Sequence, residues 1–225
     1  MNNTPYMNKL AVELRILLED PVAGGDDGIK AETNGRDFTA ERINFYLVES
    51  IKDLVKRLVD NYGVSMASDL APGLIKTQAI TYNTGGVSIN KDFLYPVGLS
   101  GTDTYKYVNK LDIISDVDTY LIRVYTIEGN KLYVYVRENV GTPPVYQLNL
   151  QGSGTGTLYY LKADRVSSST GKIVEPNYGT DTTLDMRWHD WVLRRAAQHG
   201  CEDKGTEVWL AKSQIFKKSA EEILK

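Results

Sequence analysis

DMRWHDWVLRRAAQHGCEDKGTEVWLAKSQIFKKSAEEILK, residues Asp185 to Lys225, reads as two helices with a break at Lys204-Gly205-Thr206. In the first, Trp188, Trp191, Val192 and Ala196 recur at steps of three and four, so they share one side of a helix. In the second, Trp209, Ser213, Phe216, Ala220 and Ile223 do the same, and Thr206 stands where an N-cap hydroxyl would accept an orphan N–H. All three tryptophans of the chain lie in this stretch. A helical pair so rich in large aromatics needs a surface to cover it.

That surface is offered by the other end of the chain. Thr39 to Tyr62 carries a helical stripe, Ile43, Leu47, Ile51, Leu54 and Leu58, with Thr39 as cap and Asn61-Tyr62-Gly63 as the stop. Before it, Tyr6 to Glu19 forms a shorter helix with Leu10, Leu14 and Leu17 on one face, ended by Asp20-Pro21. Between the two lies a loop, residues 21–37, with four glycines and no apolar period. Loops of that length are usually functional or disordered. Its Asp26-Asp27-Gly28 lacks the spacing of a calcium loop and reads as solvated. We expect Trp188, Trp191 or Val192, and Phe216 to pack against Ile43, Leu47, Ile51 and Leu54.

From Gly63 onward the period changes to two. DTYLIRVYTIEGNKLYVYVREN folds back on Gly129-Asn130, where a glycine in the first central position suits a type II′ turn. That register pairs Ile127 with Leu132, Tyr125 with Val134, Thr126 with Tyr133 and Glu128 with Lys131. Further strands are expected at 75–82, 107–113, 145–150 and 157–163, and Gly152-Ser153-Gly154-Thr155-Gly156 reads as a flexible hairpin loop. The pattern gives an α+β fold: a helical core from the N- and C-terminal helices and a central β-rich insertion. The expected divisions are 1–63 for the first helices, 64–176 for the insertion and 177–225 for the last helices.

Composition narrows function mainly by exclusion. The chain has 225 residues, 42% hydrophobic, with a net charge of −3, so a general phosphate-binding surface is not expected. Residues 1–62 hold 11 acidic and 8 basic side chains, and the remainder is balanced, so the net charge sits in the N-terminal helices. One cysteine, Cys201, precludes an internal disulfide and suits synthesis in a reducing cytoplasm. Neither a membrane span nor a signal peptide is apparent. Fifteen tyrosines against four phenylalanines suit exposed sheets and interfaces better than a dry core. Tyr125, Tyr133, Tyr135, Tyr159 and Tyr160 are expected on a face of the insertion that meets a neighbour.

Residues with chemical potential do not converge. His189 and His199 are ten apart, and on a helix His199 and Cys201 point away from each other, which fits neither a metal site nor a Cys–His nucleophile. Asp116 and Asp118 share a strand face and read as a solvated edge. No phosphate-binding motif is present. The sequence therefore assigns no catalytic residue, no cofactor-binding residue, no cofactor and no metal ligand, and points away from an enzyme.

One resemblance rests on particular segments. Leu14-Arg15-Ile16-Leu17-Leu18-Glu19-Asp20, a polar loop, Phe38-Thr39 and a long helix with Asn44 and Tyr46 are followed, near the end, by Trp188-His189-Asp190-Trp191-Val192, Ala196-Ala197, an acidic break and a final amphipathic helix. Over residues 6–62 and 184–225 this resembles the head-to-tail adaptor (connector, or neck ring) proteins of tailed bacteriophages, and most of all the ring proteins of the crAss-like phages. The resemblance implies a structural virion protein in the neck, made in the host cytoplasm. It implies a homododecameric ring between portal protein and tail or further neck proteins, with DNA passing through its channel without sequence-specific binding. The alternative from composition is a β-rich carbohydrate- or protein-binding module of a phage tail.

Overall fold

The computed structural model describes residues 9–20, 37–101, 104–108, 123–140, 145–163 and 188–224. The expected loop 21–37 (apart from Asp37), the aspartate pair Asp116 and Asp118, and most of the strand expected at 107–113 lie outside them. The chain is α+β, with helices from its two ends and a large curled mixed sheet between them. Contacts divide it into two compact units: Met1–Leu74 with Ala163–Ser167 and Lys172–Lys225, and Ile75–Lys162 with Ser168–Gly171.

The helical unit contains four α-helices among the described residues: α1 (Lys9–Leu17), α2 (Ala40–Leu70), α3 (His189–Lys204) and α4 (Glu207–Ile223). Thr39 caps α2, its hydroxyl accepting from Arg42 N at 3.2 Å. Gly63 breaks the helical conformation (φ 76°, ψ 165°), but the chain resumes as helix to Leu70 and ends one turn of helix later at Leu74. The stop expected at Gly63 is therefore a kink. Gly205 ends α3 in the left-handed region (φ 66°), as the break at Lys204-Gly205-Thr206 requires. Thr206 occupies the N-cap position of α4 without giving a side-chain bond, so the expected hydroxyl cap is absent.

In this unit α3 is central: α2, α1 and α4 all pack on it. Trp191, Val192, Ala196 and Ala197 are fully buried, as are Leu47, Val48, Ile51 and Leu54 of α2. Trp188 is half-buried and donates its indole N–H to Leu70 O at 2.9 Å, tying the start of α3 to the end of α2. Helix α4 rests on α3 rather than on α2, and Phe216 is only half-buried. The aromatic that joins α2 to α4 is instead Phe38, which is buried and meets Tyr46 and Trp209 edge to face at 6.0 and 6.2 Å.

Among the described residues the β unit has eight strands: β1 (Ile75–Asn83), β2 (Val87–Ser88), β3 (Phe93–Gly101), β4 (Thr104–Tyr107), β5 (Arg123–Glu128), β6 (Lys131–Val140), β7 (Val145–Leu150) and β8 (Ser153–Lys162). They run β1-β8-β3-β4-β5-β6-β2, with β7 also on β6 and only β4–β5 parallel. The sheet curls until its ends meet: Gln78 of β1 donates to Ser88 O of β2 at 3.0 Å and accepts from Asn90 N at 2.9 Å. The β5–β6 hairpin has the expected register, with Gly129 at φ 62°. Strand β3 escapes a reading by alternation because Pro96 and Gly98 interrupt it; register shifts between Phe93 and Tyr95 and between Pro96 and Gly98 accommodate them.

The concave side encloses a core of Ile80, Tyr82, Ile89, Leu99, Tyr105, Tyr125, Leu132, Val134, Leu158 and Tyr160. This corrects the expectation that Tyr125 and Tyr160 face a neighbour: both are 0% exposed. The Tyr125 hydroxyl is buried without a hydrogen-bond partner, whereas other tyrosines of this core pair their polar tips. Tyr82 and Tyr105 share a hydroxyl bond of 2.7 Å, and Tyr160 donates to the buried Asp92 at 2.8 Å. The glycine run expected to be a loop is part of β8, and a Cβ at Gly154 would lie 2.1 Å from Tyr82 Oη. Glycine is there to admit a tyrosine into the core.

Candidate functional site

The residues that carry acid, base and thiol chemistry are drawn into the seams of the helical unit. Asp53 of α2 accepts from Arg195 Nε and Nη2 of α3 at 2.8 and 2.7 Å, and His199 Nε2 lies 3.5 Å away. Arg195 also donates to Gln198, which donates to Glu202, both at 2.7 Å. Burial pushes the Asp53 carboxyl up, but His199 and Arg195 more than offset it, and it lies below its ordinary value. A turn further on, Tyr46 donates to Asp203 at 2.6 Å, and Arg42 pairs with the same carboxylate. Burial, then the bond to Asp203, raises the Tyr46 phenol.

A second seam clamps α1 to the start of α2. Arg15 and Asp20 form a fully buried ion pair at 3.1 Å. Arg15 also donates to Phe38 O at 3.2 Å, and Asp20 accepts from the backbone N–H groups of Asp37 and Phe38 at 3.1 Å each. Burial lowers the Arg15 pKa and Asp20 works against that shift. These bonds hold the two stems of residues 21–36 together.

His199 lies between the carboxylates of Asp53 and Glu202, at 3.5 and 3.9 Å. Cys201 is buried and free, and burial pushes its thiol up to about 11, away from the thiolate that a nucleophile needs. The structure does not bring His189, His199 and Cys201 together as ligands: among the described residues, no group of three or more His, Cys, Asp or Glu side chains is placed to hold a metal ion. Among those residues, too, no helix is long and apolar enough to cross a membrane.

What the helical unit does present is an uncovered apolar face. Lys212 of α4 pairs with Glu19 at the end of α1 at 2.9 Å, which sets that side of α4 toward α1. Val208 and Ile215 flank Lys212 on the same side of α4, and Ile16 lies one turn before Glu19. Their exposures are 66%, 67% and 52%, high values for large aliphatic side chains. Beside them α1 and α3 form an open groove of about 250 Å³ lined by Glu13, Ile16, Leu17, Asp190, Leu193 and Arg194. Exposed aliphatic side chains on two helices of one unit are surface features from which an interface can be built. The sequence reading of α4 missed it: stripe positions Ser213 and Ala220 are buried, whereas Val208 and Ile215 lie off the stripe. A count of all apolar positions on α4 shows a band too wide for one helix to cover.

Compared with models of known families and with curated proteins, the chain matches none.

Proposed function

We propose that the protein is a structural component of a tailed-phage virion, a ring-forming head-to-tail adaptor that docks between portal and tail around the DNA channel. The observation that carries this reading is the set of exposed aliphatic side chains of the helical unit, Ile16, Val208 and Ile215 around the Lys212–Glu19 pair, in a unit where Asp53, Arg195, Tyr46 and Asp203 are tied into interhelical bonds. A subunit with exposed aliphatic helix positions and a separately cored β unit fits an assembly part better than a catalyst. The resemblance of residues 6–62 and 184–225 to adaptor proteins supplies the identity of the assembly. A ring needs heterologous contacts, one face of each subunit meeting a different face of the next. The mildly acidic N-terminal segment is compatible with a channel wall along which DNA slides rather than sticks.

The test is made on particles. Purified virions should contain the protein in a copy number matching the symmetry of their portal, and imaging should place it between portal and tail. Absence from virions, or copies that do not match that symmetry, overturns the adaptor and leaves the binding module.

A further inference from the structure

We propose that the convex face of strands β1, β8 and β3 binds a neutral saccharide, with Tyr159 as the platform on which a sugar ring stacks. The β1–β8–β3 register places Thr77, Tyr159 and Gly98 in one row across three strands and Ala79, Thr157 and Ser100 in the next. These positions alternate with the core residues Ile80, Leu158, Leu99 and Tyr160, so they share the side away from the core. A third row pairs Thr81 with Thr155. No position in the three rows is Asp, Glu, Lys, Arg or His, in a chain where 24% of residues are charged. Sheet faces turned to water usually carry charge; this one carries hydroxyls.

Three features make a site of it. Tyr159 is 38% exposed, a large aromatic ring presented among small side chains. Its neighbour in the row is Gly98, where a Cβ would meet nothing within 4 Å, so the flank of the ring over β3 is open. The register shift between Pro96 and Gly98 adds an extra residue to β3 beside the ring, a distortion that re-aims strands next to binding sites. The hydroxyls of Thr77, Thr157 and Ser100 surround the ring at the strand grid of about 4.8 by 6.8 Å. Each can both donate and accept, which is what sugar hydroxyls require. The C–H face of a pyranose is apolar and suits an aromatic ring, while the absence of charge removes any reason to prefer an acidic or basic ligand. A second copy of the sheet is a poorer occupant, because these three rows offer only one large side chain to bury.

The experiment follows amide shifts of the isotope-labelled full chain during titration with neutral oligosaccharides (gluco-, manno-, xylo- and N-acetylglucosamine hexamers) and with acidic galacturonate hexamers. A neutral oligomer should shift the resonances around Thr77, Ser100, Thr157 and Tyr159. Tyr159→Ala should weaken that binding about tenfold, and Thr157→Lys should weaken it as well, with both variants unfolding at the temperature of the parent. No response to any neutral oligomer overturns the site, as does a response to the acidic oligomer alone. Shifts that track protein concentration without sugar assign the face to self-association and overturn it too. None of these results depends on whether the protein is found in virions, so the site and the adaptor reading fail separately.

Discussion

The two units are stabilised in different ways. In the helical unit, segments from opposite ends of the chain are joined by polar bonds from side chains: Asp53 to Arg195, Tyr46 to Asp203, Lys204 to Asp37 and Trp188 to a backbone carbonyl. The β unit is one nearly continuous stretch held by strand pairing, its first strand β1 lying on its last strand β8, and Tyr82, Tyr105, Tyr160 and Asp92 pair their polar atoms inside its core. Long-range closure makes the first unit depend on a few anchors, while the second depends on the fit of its layers.

The strongest way to break this contrast is to empty the centre of the helical unit. Trp191 is 0% exposed, and Trp191→Ala should destabilise the unit by about 3–5 kcal/mol. All three tryptophans lie in this unit, so tryptophan fluorescence follows it alone, while tyrosine circular dichroism is dominated by the β unit. The fluorescence transition in denaturant should move to much lower concentration and the tyrosine signal should hold. Equal movement of both would mean that the two units unfold as one.

The clamp between α1 and α2 gives a sharper version. Asp20 accepts from Arg15 and from two backbone N–H groups, so Asp20→Ala removes the carboxylate from a buried cation, a buried donor and a part-buried donor together. Its cost should reach about 3–5 kcal/mol. Arg15→Met should cost clearly less, because Asp20 keeps the two backbone donors. Equal losses for the two variants would show that the ion pair, and not the closing of the loop stems, is what matters.

The contrast also explains what was legible in the sequence. The stripe Ile43 to Leu58 and the cluster Trp188 to Ala196 announced the helical core because helical period survives any tertiary arrangement. The 125–134 register was equally legible, since one glycine at a two-residue turn fixes every pair after it. Strand β3 was not, because Pro96 and Gly98 read as breakers until bulges absorb them. Nor was the burial of Tyr125 and Tyr160 legible: alternation tells which residues share a face, but not which face closes on itself. The polar seams were beyond reach for a different reason. Asp53 and Arg195 are 142 positions apart, and nothing local to either records the other. The exposed Val208 and Ile215 were visible as residues, but their lack of cover depends on where α4 comes to rest.

In the β unit the expected effects are intermediate and arise from overpacking. At Gly156 a Cβ would lie 2.7 Å from Ser100 O, a backbone atom of the paired strand β3. Gly156→Ala should cost about 1–3 kcal/mol and appear in the tyrosine signal. Gly152, where a Cβ meets nothing within 4 Å, is the control, and Gly152→Ala should be close to neutral. Were the two to behave alike, the layers would be looser than their spacing indicates.

The smallest effect separates the units by pH. In the β unit, burial raises the phenols of Tyr125 and Tyr160, so their contribution is complete below the ordinary tyrosine range of about 10 and is lost as pH climbs above it. The helical unit shares that alkaline limb through Tyr46 and Cys201, raised in the same direction. Asp53 adds an acid limb. Its folded carboxyl lies below its ordinary value, so on acidification the unfolded chain takes up a proton first. The stability it contributes is therefore complete above about pH 4 and disappears as pH falls through the folded value. Because Asp53 is 34% exposed and partly screened, the amount should be under about 1 kcal/mol. Asp53→Asn should lower the fluorescence-detected stability slightly near neutrality, and the gap from the parent should close below about pH 4, while the tyrosine-detected transition stays the same in both proteins across that range. A gap that stays constant into acid would mean that Asp53 acts through the shape of its bonds to Arg195 and not through its charge.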